Sequence, residues 1–189
     1  MIVAVYSGSF NPLHIGHLAI MKHLTEEAGF DMVYLIVSPK NPLKDDISSA
    51  SGRDRYNAAV SAVQRRFGTD SPSPVKVDDI EMNMPEPHYT INTLDALKER
   101  EPDNSFVLVV GSDNLADIRR WKDYSRILKE YGLAVFPRKG FNLDQIRQDL
   151  LREDPSYKII PLKAEMVDIS STIIREGIAS GQDISAWLM

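Results

Sequence analysis

The sequence predicts an α/β fold, a Rossmann-like doubly wound parallel sheet that forms a single domain over residues 1–189. Short β-rich runs alternate with longer helical patterns along the whole chain, which is the order of β-α-β units. The strongest runs are almost continuously apolar, as is typical of strands that helices cover on both faces. A length of 189 residues suits one domain. In such a sheet, ligands bind in the crevice beyond the carboxyl ends of the strands.

The elements follow one another in regular alternation. The opening run, IVAVYS, stops at turn residues after six positions, and five similar runs follow it. Helical patterns lie between the runs; the first is closed by Gly29 and the last by Gly181. The predicted strands are 2–7, 32–38, 75–80, 106–111, 132–136 and 158–162. The predicted helices are 15–28, 52–66, 91–100, 113–129, 142–152 and 171–180. Two proline-containing loops, 38–52 and 79–90, interrupt this order and are candidate binding segments.

Composition argues against several classes of protein. With 22 basic and 27 acidic residues the chain carries a formal charge of −5, which disfavours a nonspecific nucleic-acid binder. There is no cysteine, so disulfides, thiolate metal sites and cysteine nucleophiles are excluded. The sequence has neither the basic lead-in of a secretion signal nor 18 consecutive apolar residues, so we expect a cytoplasmic protein without a membrane partner. It leaves both a monomer and a homo-oligomer open.

The first strand runs into the segment Ser7–His17, SGSFNPLHIGH, and then into an amphipathic helix. Gly8 allows a ligand to approach the backbone closely, and His14 and His17, three positions apart, can point from one face of the helix. Backbone amides at this turn would favour an anion. An isolated HxxH pair is more often two surface histidines or half of a zinc site. Here, Gly16 between them would leave an open patch where a ligand could lie against the helix.

A second junction of this kind lies near the other end of the chain. Residues 168–175, DISSTIIR, follow the last strand and open the last helix. Serines and threonines in such a place usually serve as a helix N-cap. Arg175 lies about one helical turn past the hydroxyls, so amides, hydroxyls and a guanidinium could converge on a phosphate oxygen. The two junctions together predict a polyphosphate site.

HIGH early and ISSTIIR late, in a chain of this size and layout, resemble the nucleotidyltransferase superfamily of Rossmann-like adenylyltransferases. Three further stretches are similar to those of bacterial nicotinate mononucleotide adenylyltransferases: YTINTL at 89–94, VGSDNL at 110–115, and Trp121 followed by Tyr124. The resemblance covers almost the whole chain. One departure is the loop that often carries a histidine before its lysine, which here reads NPLK and keeps only Lys44.

This resemblance implies adenylyl transfer from ATP to nicotinate mononucleotide, which gives deamido-NAD and pyrophosphate, with Mg²⁺ accompanying the ATP. The nucleophile would be a phosphate monoester, already largely dianionic at pH 7 because its second pKa is ~6. Such a reaction needs no general base, since it can run on alignment and charge stabilisation. The catalytic residues that the resemblance implies are His14, His17, Lys44 and Arg175. The implied ATP contacts are Gly8, Ser9, Phe10, Gly111, Asp113, Ile169, Ser170 and Ser171. The implied mononucleotide contacts are Thr90, Trp121 and Arg138.

The resemblance also implies individual roles, and it assigns no side chain as a metal ligand. His17 would contact the α-phosphate, while His14 and Arg175 would hold the leaving β- and γ-phosphates. Asp113 would accept hydrogen bonds from the adenosine ribose or help to orient the metal; its plain structural role is a helix N-cap. Trp121 would stack on the positively charged pyridine ring, and its plain structural role is helix packing. Preference for the acid over the amide would come from backbone amides around the tryptophan and YTINTL.

Two other functions stay open. Phosphopantetheine adenylyltransferase shares the early histidine motif and a similar late serine-rich turn, but YTINTL, Trp121 and the length of the chain speak against it. A noncatalytic nucleotide sensor would keep the cleft without turnover. Loss of His17, Lys44 or Arg175 would favour a sensor, and all three are present.

Overall fold

A computed structural model describes residues 1–39, 51–68, 73–164 and 169–189. Within these ranges the chain forms a six-stranded sheet in which every strand pairs in parallel with its neighbours. The predicted α/β fold is therefore confirmed. The strands are β1 (Ile2–Gly8), β2 (Met32–Val37), β3 (Val75–Asp78), β4 (Ser105–Gly111), β5 (Leu133–Phe136) and β6 (Ile159–Pro161). The helices are α1 (Ile15–Glu26), α2 (Gly52–Phe67), α3 (Thr90–Arg100), α4 (Ser112–Ala116), α5 (Tyr124–Arg126), α6 (Leu143–Glu153) and α7 (Ser171–Ala179).

The strands form from nearly continuous apolar runs because both faces of the sheet are covered. Side chains of successive residues point to opposite faces of a strand. In β1, Val3 and Val5 belong to one buried apolar cluster, whereas Ala4 and Tyr6 belong to the other. All four are buried. A central strand of this sheet therefore has no solvent face on which a polar side chain would be favoured, and the alternation typical of half-exposed strands is missing.

The strand order, β3-β2-β1-β4-β5-β6, places the site. The chain builds outward from β1 in one direction and then, from β4 onward, in the other. The crossovers on the two sides lie on opposite faces in a doubly wound sheet, so a crevice opens where the order reverses, beyond the carboxyl ends of β1 and β4. These ends are Gly8 and Gly111, and each lies beside predicted site residues.

The predicted helix over 113–129 is wrong, because the chain breaks there into short pieces. Helix α4 ends at Ala116, the backbone is extended at Trp121 (φ −80°, ψ 142°), and Asp123 is left-handed (φ 53°). A 3₁₀ turn, Ile118–Arg120, precedes the break, and a π-helical turn, Ile127–Tyr131, follows α5.

The break has a packing reason. Leu115, Ile118, Ile127 and Leu128 are all fully buried in one apolar cluster. In a straight helix of 3.6 residues per turn the first two would share a face, and the last two would lie on the other side. Breaking the helix allows all four to face the sheet.

Among the helices that the structure describes, none combines the length and the apolar character that crossing a bilayer demands.

Candidate active site

Two neighbouring cavities open at the crevice, and they share part of their walls. The histidine lobe, about 540 Å³, is lined by residues of the two junctions, among them His14, Gly16, His17, Ile169, Ser170 and Ile173. The tryptophan lobe, about 440 Å³, is lined by the ends of β1 and β4 and by the segments around Thr90 and Trp121. The wall common to both, called the shared wall below, consists of His17, Asp113, Phe136 and Arg138.

The structure brings most of the predicted site residues together. Six line the histidine lobe: His14, His17, Asp113, Arg138, Ile169 and Ser170. The tryptophan lobe is lined by Gly8, Ser9, Phe10, Thr90, Gly111, Trp121 and Ser171, besides the members of the shared wall. Of the predicted residues within the described ranges, only Arg175 lines neither lobe. Lys44 lies outside the described residues.

The two histidines form the N-terminal cap of α1. His14 is the N-cap residue, with an extended backbone (φ −142°, ψ 172°), and its Nδ1 accepts the backbone N–H of Gly16 at 3.2 Å. In return, Nδ1 of His17 accepts the backbone N–H of His14 at 3.2 Å. The imidazole rings stack with their centroids 3.7 Å apart. This reciprocal pattern is a capping box in which imidazoles replace the usual hydroxyl and carboxyl groups.

The cap fixes the protonation of both rings. A neutral imidazole has one donor and one acceptor nitrogen, and here both Nδ1 atoms already accept. The proton of each ring is therefore on Nε2. Burial, reinforced by the positive charge of Arg138, lowers the pKa of His14 to about 4. Burial, His14 and Arg138 together hold the pKa of His17 well below its usual range. At neutral pH the pair thus offers two uncharged N–H donors.

The space beside Gly16, which was expected to be an open patch, is partly filled by the side chains of His14 and Ile169. A Cβ at this position would lie 3.0 Å from the His14 imidazole and 3.3 Å from Cγ2 of Ile169. These distances are shorter than an ordinary van der Waals contact. A side chain at this position would therefore push His14 out of the cap or separate the two junctions. Gly16 still lines the histidine lobe.

Phe10 backs His17 from the side of the tryptophan lobe. Its ring meets His17 edge-to-face at 5.1 Å and Tyr6 at 5.4 Å. The backbone of Phe10 is left-handed (φ 45°), a conformation that costs a bulky residue ~1–3 kcal/mol. A Cβ on Gly8 would come within 3.1 Å of the same ring. The loop after β1 is thus shaped to hold the Phe10 ring against His17.

The junction near the end of the chain, residues 168–175, is called the late junction, and the segment Ser7–His17 is called the early junction. Polar groups of the late junction bind the early one. Ser170 is the N-cap of α7 and accepts the N–H of Ile173 at 3.3 Å, so its predicted capping role is confirmed. The Ser171 hydroxyl donates to the Pro12 carbonyl at 3.1 Å. Arg175 donates to the Asn11 carbonyl at 2.9 Å. Ser171 and Arg175 thus hold the loop before α1. Their convergence on a phosphate stays a prediction.

The shared wall contains a carboxylate and a guanidinium that lie close to each other without a hydrogen bond. Asp113 Oδ1 lies 3.9 Å from Arg138 Nε and makes no hydrogen bond among the described residues. Gly111, not Asp113, is the N-cap of α4, so the alternative role as a cap is wrong. A Cβ on Gly111 would lie 2.2 Å from Asp113 Oδ1 and 3.1 Å from Cγ of Arg138. Glycine at the end of β4 is therefore required for both side chains to stand where they do.

The tryptophan lobe combines an indole, a helix N-terminus and several charges. Trp121 is half-buried and packs against the adjacent apolar cluster while it lines the lobe, so its packing and its exposure to a ligand coexist. Thr90 begins α3, whose N-cap, Tyr89, makes no side-chain cap, so first-turn amides lie at this wall. Arg120 and Lys122 also line the lobe. Lys122 Nζ lies 4.9 Å from the centre of the Tyr89 ring.

Two buried charged residues beside this lobe escaped the sequence analysis. Glu81 lines the lobe, and its carboxylate accepts the hydroxyls of Ser38 at 2.5 Å and Thr93 at 2.9 Å. The second threonine of YTINTL thus has a partner inside the protein. Glu81 falls in the proline-containing loop that was a candidate binding segment, but no spacing rule marks it among the acids there.

Arg55 is the other buried charge. Its guanidinium, on α2, donates to the carbonyls of Ser9 at 2.6 Å, Ser38 at 2.8 Å and Pro39 at 2.8 Å. It therefore holds the loops that follow β1 and β2. On a polar helical pattern an arginine is expected to be solvated, so the sequence carries no signal for this role.

The donor set fits a metal that arrives with its ligand. Among the described residues no group of three His, Cys, Asp or Glu side chains is placed to hold a metal ion. Mg²⁺ usually keeps several waters and takes one or two protein carboxylates together with substrate phosphates. Oδ1 of Asp113 at the shared wall, which has no hydrogen-bond partner among the described residues, suits that arrangement.

Comparison with known proteins identifies the class. A model of the cytidylyltransferase-like family matches residues 5–177, and the chain belongs to this family. Relatives from Flavobacterium psychrophilum and Bacteroides fragilis, each named "Probable nicotinate-nucleotide adenylyltransferase", are 38% and 37% identical to it. The alignments cover 100% and 97% of this chain and 92% and 85% of theirs. Within the family, the chain therefore groups with the nicotinate-nucleotide adenylyltransferases.

Solved structures agree in fold. Plasmodium falciparum nicotinic acid mononucleotide adenylyltransferase complexed with NaAD superposes with a TM-score of 0.76 at 21% identity, over 97% of this chain and 87% of that one. The same enzyme complexed with APC gives 0.73 at 19% identity, over 99% and 90%.

We expect both capping histidines of the ligand-free protein to stay neutral, with the proton on Nε2, from about pH 8 down to about pH 5. Nitrogen-15 NMR of the imidazoles measures this directly. In the unfolded chain a histidine takes up its proton near pH ~6.5. The stability contributed by the cap is therefore fully present above that pH and is lost as the pH falls toward the folded-state pKa, about 4 for His14. A proton on Nδ1, or a charged ring at pH 6, would contradict the cap.

Proposed function

We propose that this chain, acting as one nucleotidyltransferase domain, transfers the adenylyl group of ATP to nicotinate mononucleotide. The products are deamido-NAD and pyrophosphate, so the reaction belongs to NAD biosynthesis. The observation that carries the proposal is the pair of lobes that meet at His17, because two nucleotides must bring their phosphates together at one point. The names of the full-length relatives support this choice of substrates.

ATP belongs in the histidine lobe in this proposal. The lobe offers the Nε2–H groups of His14 and His17, the first turn of α7 at Ser170, and the cations Arg138 and Lys139. Uncharged donors and helix N-termini bind phosphate oxygens well in a partly dry site. Exposed apolar side chains, Phe141 and Ile173, line the same lobe and suit the adenine ring.

The mononucleotide belongs in the tryptophan lobe. Trp121 offers an indole face to the cationic pyridine ring, worth ~0.5–2 kcal/mol. The first-turn amides of α3 at Thr90 and the cationic side chains Arg120 and Lys122 favour the nicotinate carboxylate over the neutral amide. The carboxylate of Glu81, buried in the same wall, favours the positive ring.

The chemical step takes place at the shared wall. An oxygen of the mononucleotide phosphate attacks the α-phosphorus of ATP, the new P–O bond forms, and the bond from the α-phosphorus to the bridging oxygen of the β-phosphate breaks. Pyrophosphate leaves with that electron pair. The attacking phosphate is already ionised, so His17 has no proton to remove. Its role is to donate Nε2–H to the α-phosphate, and Arg138 adds positive charge beside it.

Three further assignments belong to the same proposal. Mg²⁺ bound with the triphosphate would neutralise charge on the β- and γ-phosphates, and Asp113 is the side chain that would hold it or the adenosine ribose. Ile169 contributes an apolar contact to the adenine nucleotide within the histidine lobe. Gly8, Ser9, Phe10, Gly111 and Ser171 line the tryptophan lobe and contact that nucleotide only where it reaches the shared wall. Lys44 and Arg175 would complete the phosphate site; for Arg175, this requires a turn away from the Asn11 carbonyl.

The direct test is pyrophosphate release with ATP and each of three acceptors. We expect release to depend on an acceptor, with nicotinate mononucleotide giving the highest kcat/KM, the amide mononucleotide less, and phosphopantetheine none. A kcat/KM that is higher with phosphopantetheine than with either mononucleotide would instead assign the chain to the phosphopantetheine adenylyltransferases. Binding of ATP without release with any of the three would favour a nucleotide sensor.

Replacing His17 with alanine should leave the fold intact and lower kcat by ~10²–10³, because a preorganised donor at the α-phosphate is lost. Steady-state kinetics measures the loss, and circular dichroism checks the fold. His23→Ala is the matched control, since His23 lies near the other end of α1. A variant with kcat close to the parent's would reject His17 as a transition-state contact.

Replacing Trp121 with alanine should raise KM for the mononucleotide and spare KM for ATP, since the indole lines only the tryptophan lobe. We expect an increase of about 2- to 30-fold, from the stacking energy above. Trp121→Phe keeps an aromatic face and should recover part of the loss. Equal increases in both KM values would contradict the division of substrates between the lobes.

A further inference from the structure

The segment Ile184–Met189, which we call the strap, leaves α7 and crosses to the start of α1. An antiparallel backbone bridge pairs Leu188 with His14. Met189 is buried in the same apolar cluster as Phe10 and Leu13, the residues that lead into the histidine cap. The strap therefore packs on the early junction, and none of its residues is among those that line the described walls of either lobe.

The strap also packs on the late junction. Ile184 is buried with Ile169 and Ile174, and this small cluster takes in Ile15, the residue after His14. Ile169 is the residue whose Cγ2 lies closest to Gly16 after the His14 ring itself. The strap is thus in contact with both segments that form the histidine lobe.

Two contacts fix the ends of the strap. Arg65, on α2, donates to the backbone carbonyl of Met189 at 3.0 Å. At the other end, Gly177 lets Ile184 approach α7: a Cβ on Gly177 would lie 2.7 Å from Cγ2 of Ile184. Since non-bonded carbons do not come this close, a side chain at position 177 would force the Ile184 side chain to shift.

We infer that the strap is a positioning element, which holds His14 in the extended conformation that lets its ring cap α1 and stack on His17. An N-cap residue must leave helical geometry while the next residue enters it. A β-bridge requires the same extended backbone, so pairing with Leu188 selects the conformation that the cap needs. The effect on turnover rests on the proposed function; the effect on His14 itself does not.

The consequence for His14 is measurable without any substrate. The charged or titratable groups that line the histidine lobe with His14 are His17 and Asp113 and the cations Arg138 and Lys139. The strap carries no titratable side chain. Removing it leaves these neighbours in place and admits water to His14, so the ring should take up a proton at higher pH.

The experiment compares the parent with two strap variants. One is a deletion of Trp187–Met189, which removes the bridge. The other is Gly177→Ala, which disturbs the strap from α7 and leaves its sequence unchanged. We expect the deletion to shift the NMR titration of His14 upward by at least one pH unit. We also expect kcat to fall about tenfold or more, as misplaced catalytic donors do, with KM for the mononucleotide within about twofold. Gly177→Ala should also raise the pH at which His14 titrates and lower kcat, but each by less than the deletion does.

Two controls separate positioning from stability. Ser185→Ala changes an exposed side chain within the strap and should match the parent. Leu150→Ala opens the core under α6, outside both lobes, and should lower the melting temperature without moving the His14 titration or kcat. If the deletion does not fold, Gly177→Ala and Trp187→Ala decide the question.

The inference is overturned if His14 titrates in the strap variants as in the parent, or if Leu150→Ala shifts it equally. An inactive parent would instead reject the proposed function, and the His14 titration would still decide on the strap.

Discussion

The stacked imidazole cap of α1 is the interaction on which the site depends. A helix start leaves backbone N–H groups without partners, and in most proteins a hydroxyl or carboxylate accepts from them. In this chain two imidazoles do so through Nδ1, which leaves each Nε2–H directed elsewhere. The cap therefore decides helix geometry, ring orientation and protonation state at once. A carboxylate in this place would repel a polyphosphate, whereas neutral imidazoles do not.

The residues around the cap have the sizes and backbone conformations that the positions of the two imidazole rings require. Gly16 is small because the His14 ring lies over it, and Phe10 accepts a left-handed backbone so that its ring can support His17. The late junction holds the preceding loop through the Pro12 and Asn11 carbonyls. These contacts join segments from opposite ends of the sequence. The polar residues that look most suited to a phosphate are in part the ones that hold the two junctions together.

The sequence predicted the sheet well because burial on both faces leaves a local signature, a continuous apolar run. Gly8 was predicted as a site residue because it ends a strand of a parallel sheet, whereas Gly111, Asp113 and Trp121 were predicted from the resemblance of their motifs to a known family. The failures have a different origin. The helix over 113–129 breaks because four apolar residues must reach one surface, which depends on the sheet and not on local preference.

Side chains that bind backbone groups far away in the sequence could not be predicted either. Arg55 binds carbonyls of three residues in two loops, and the partner of Arg175 lies 164 positions away. Nothing in the spacing of a helix indicates such partners. The strap is the same case: its bridge to His14 joins residues that no local pattern relates.

The most direct measurement is a crystal structure of the chain with a non-hydrolysable ATP analogue and nicotinate mononucleotide bound together. We expect the triphosphate in the histidine lobe, the pyridine ring against Trp121, and both reacting phosphates at the shared wall. His17 Nε2 should lie ~3 Å from an α-phosphate oxygen. A structure with the triphosphate in the tryptophan lobe, or with the two phosphates separated by the His17 ring, would contradict it.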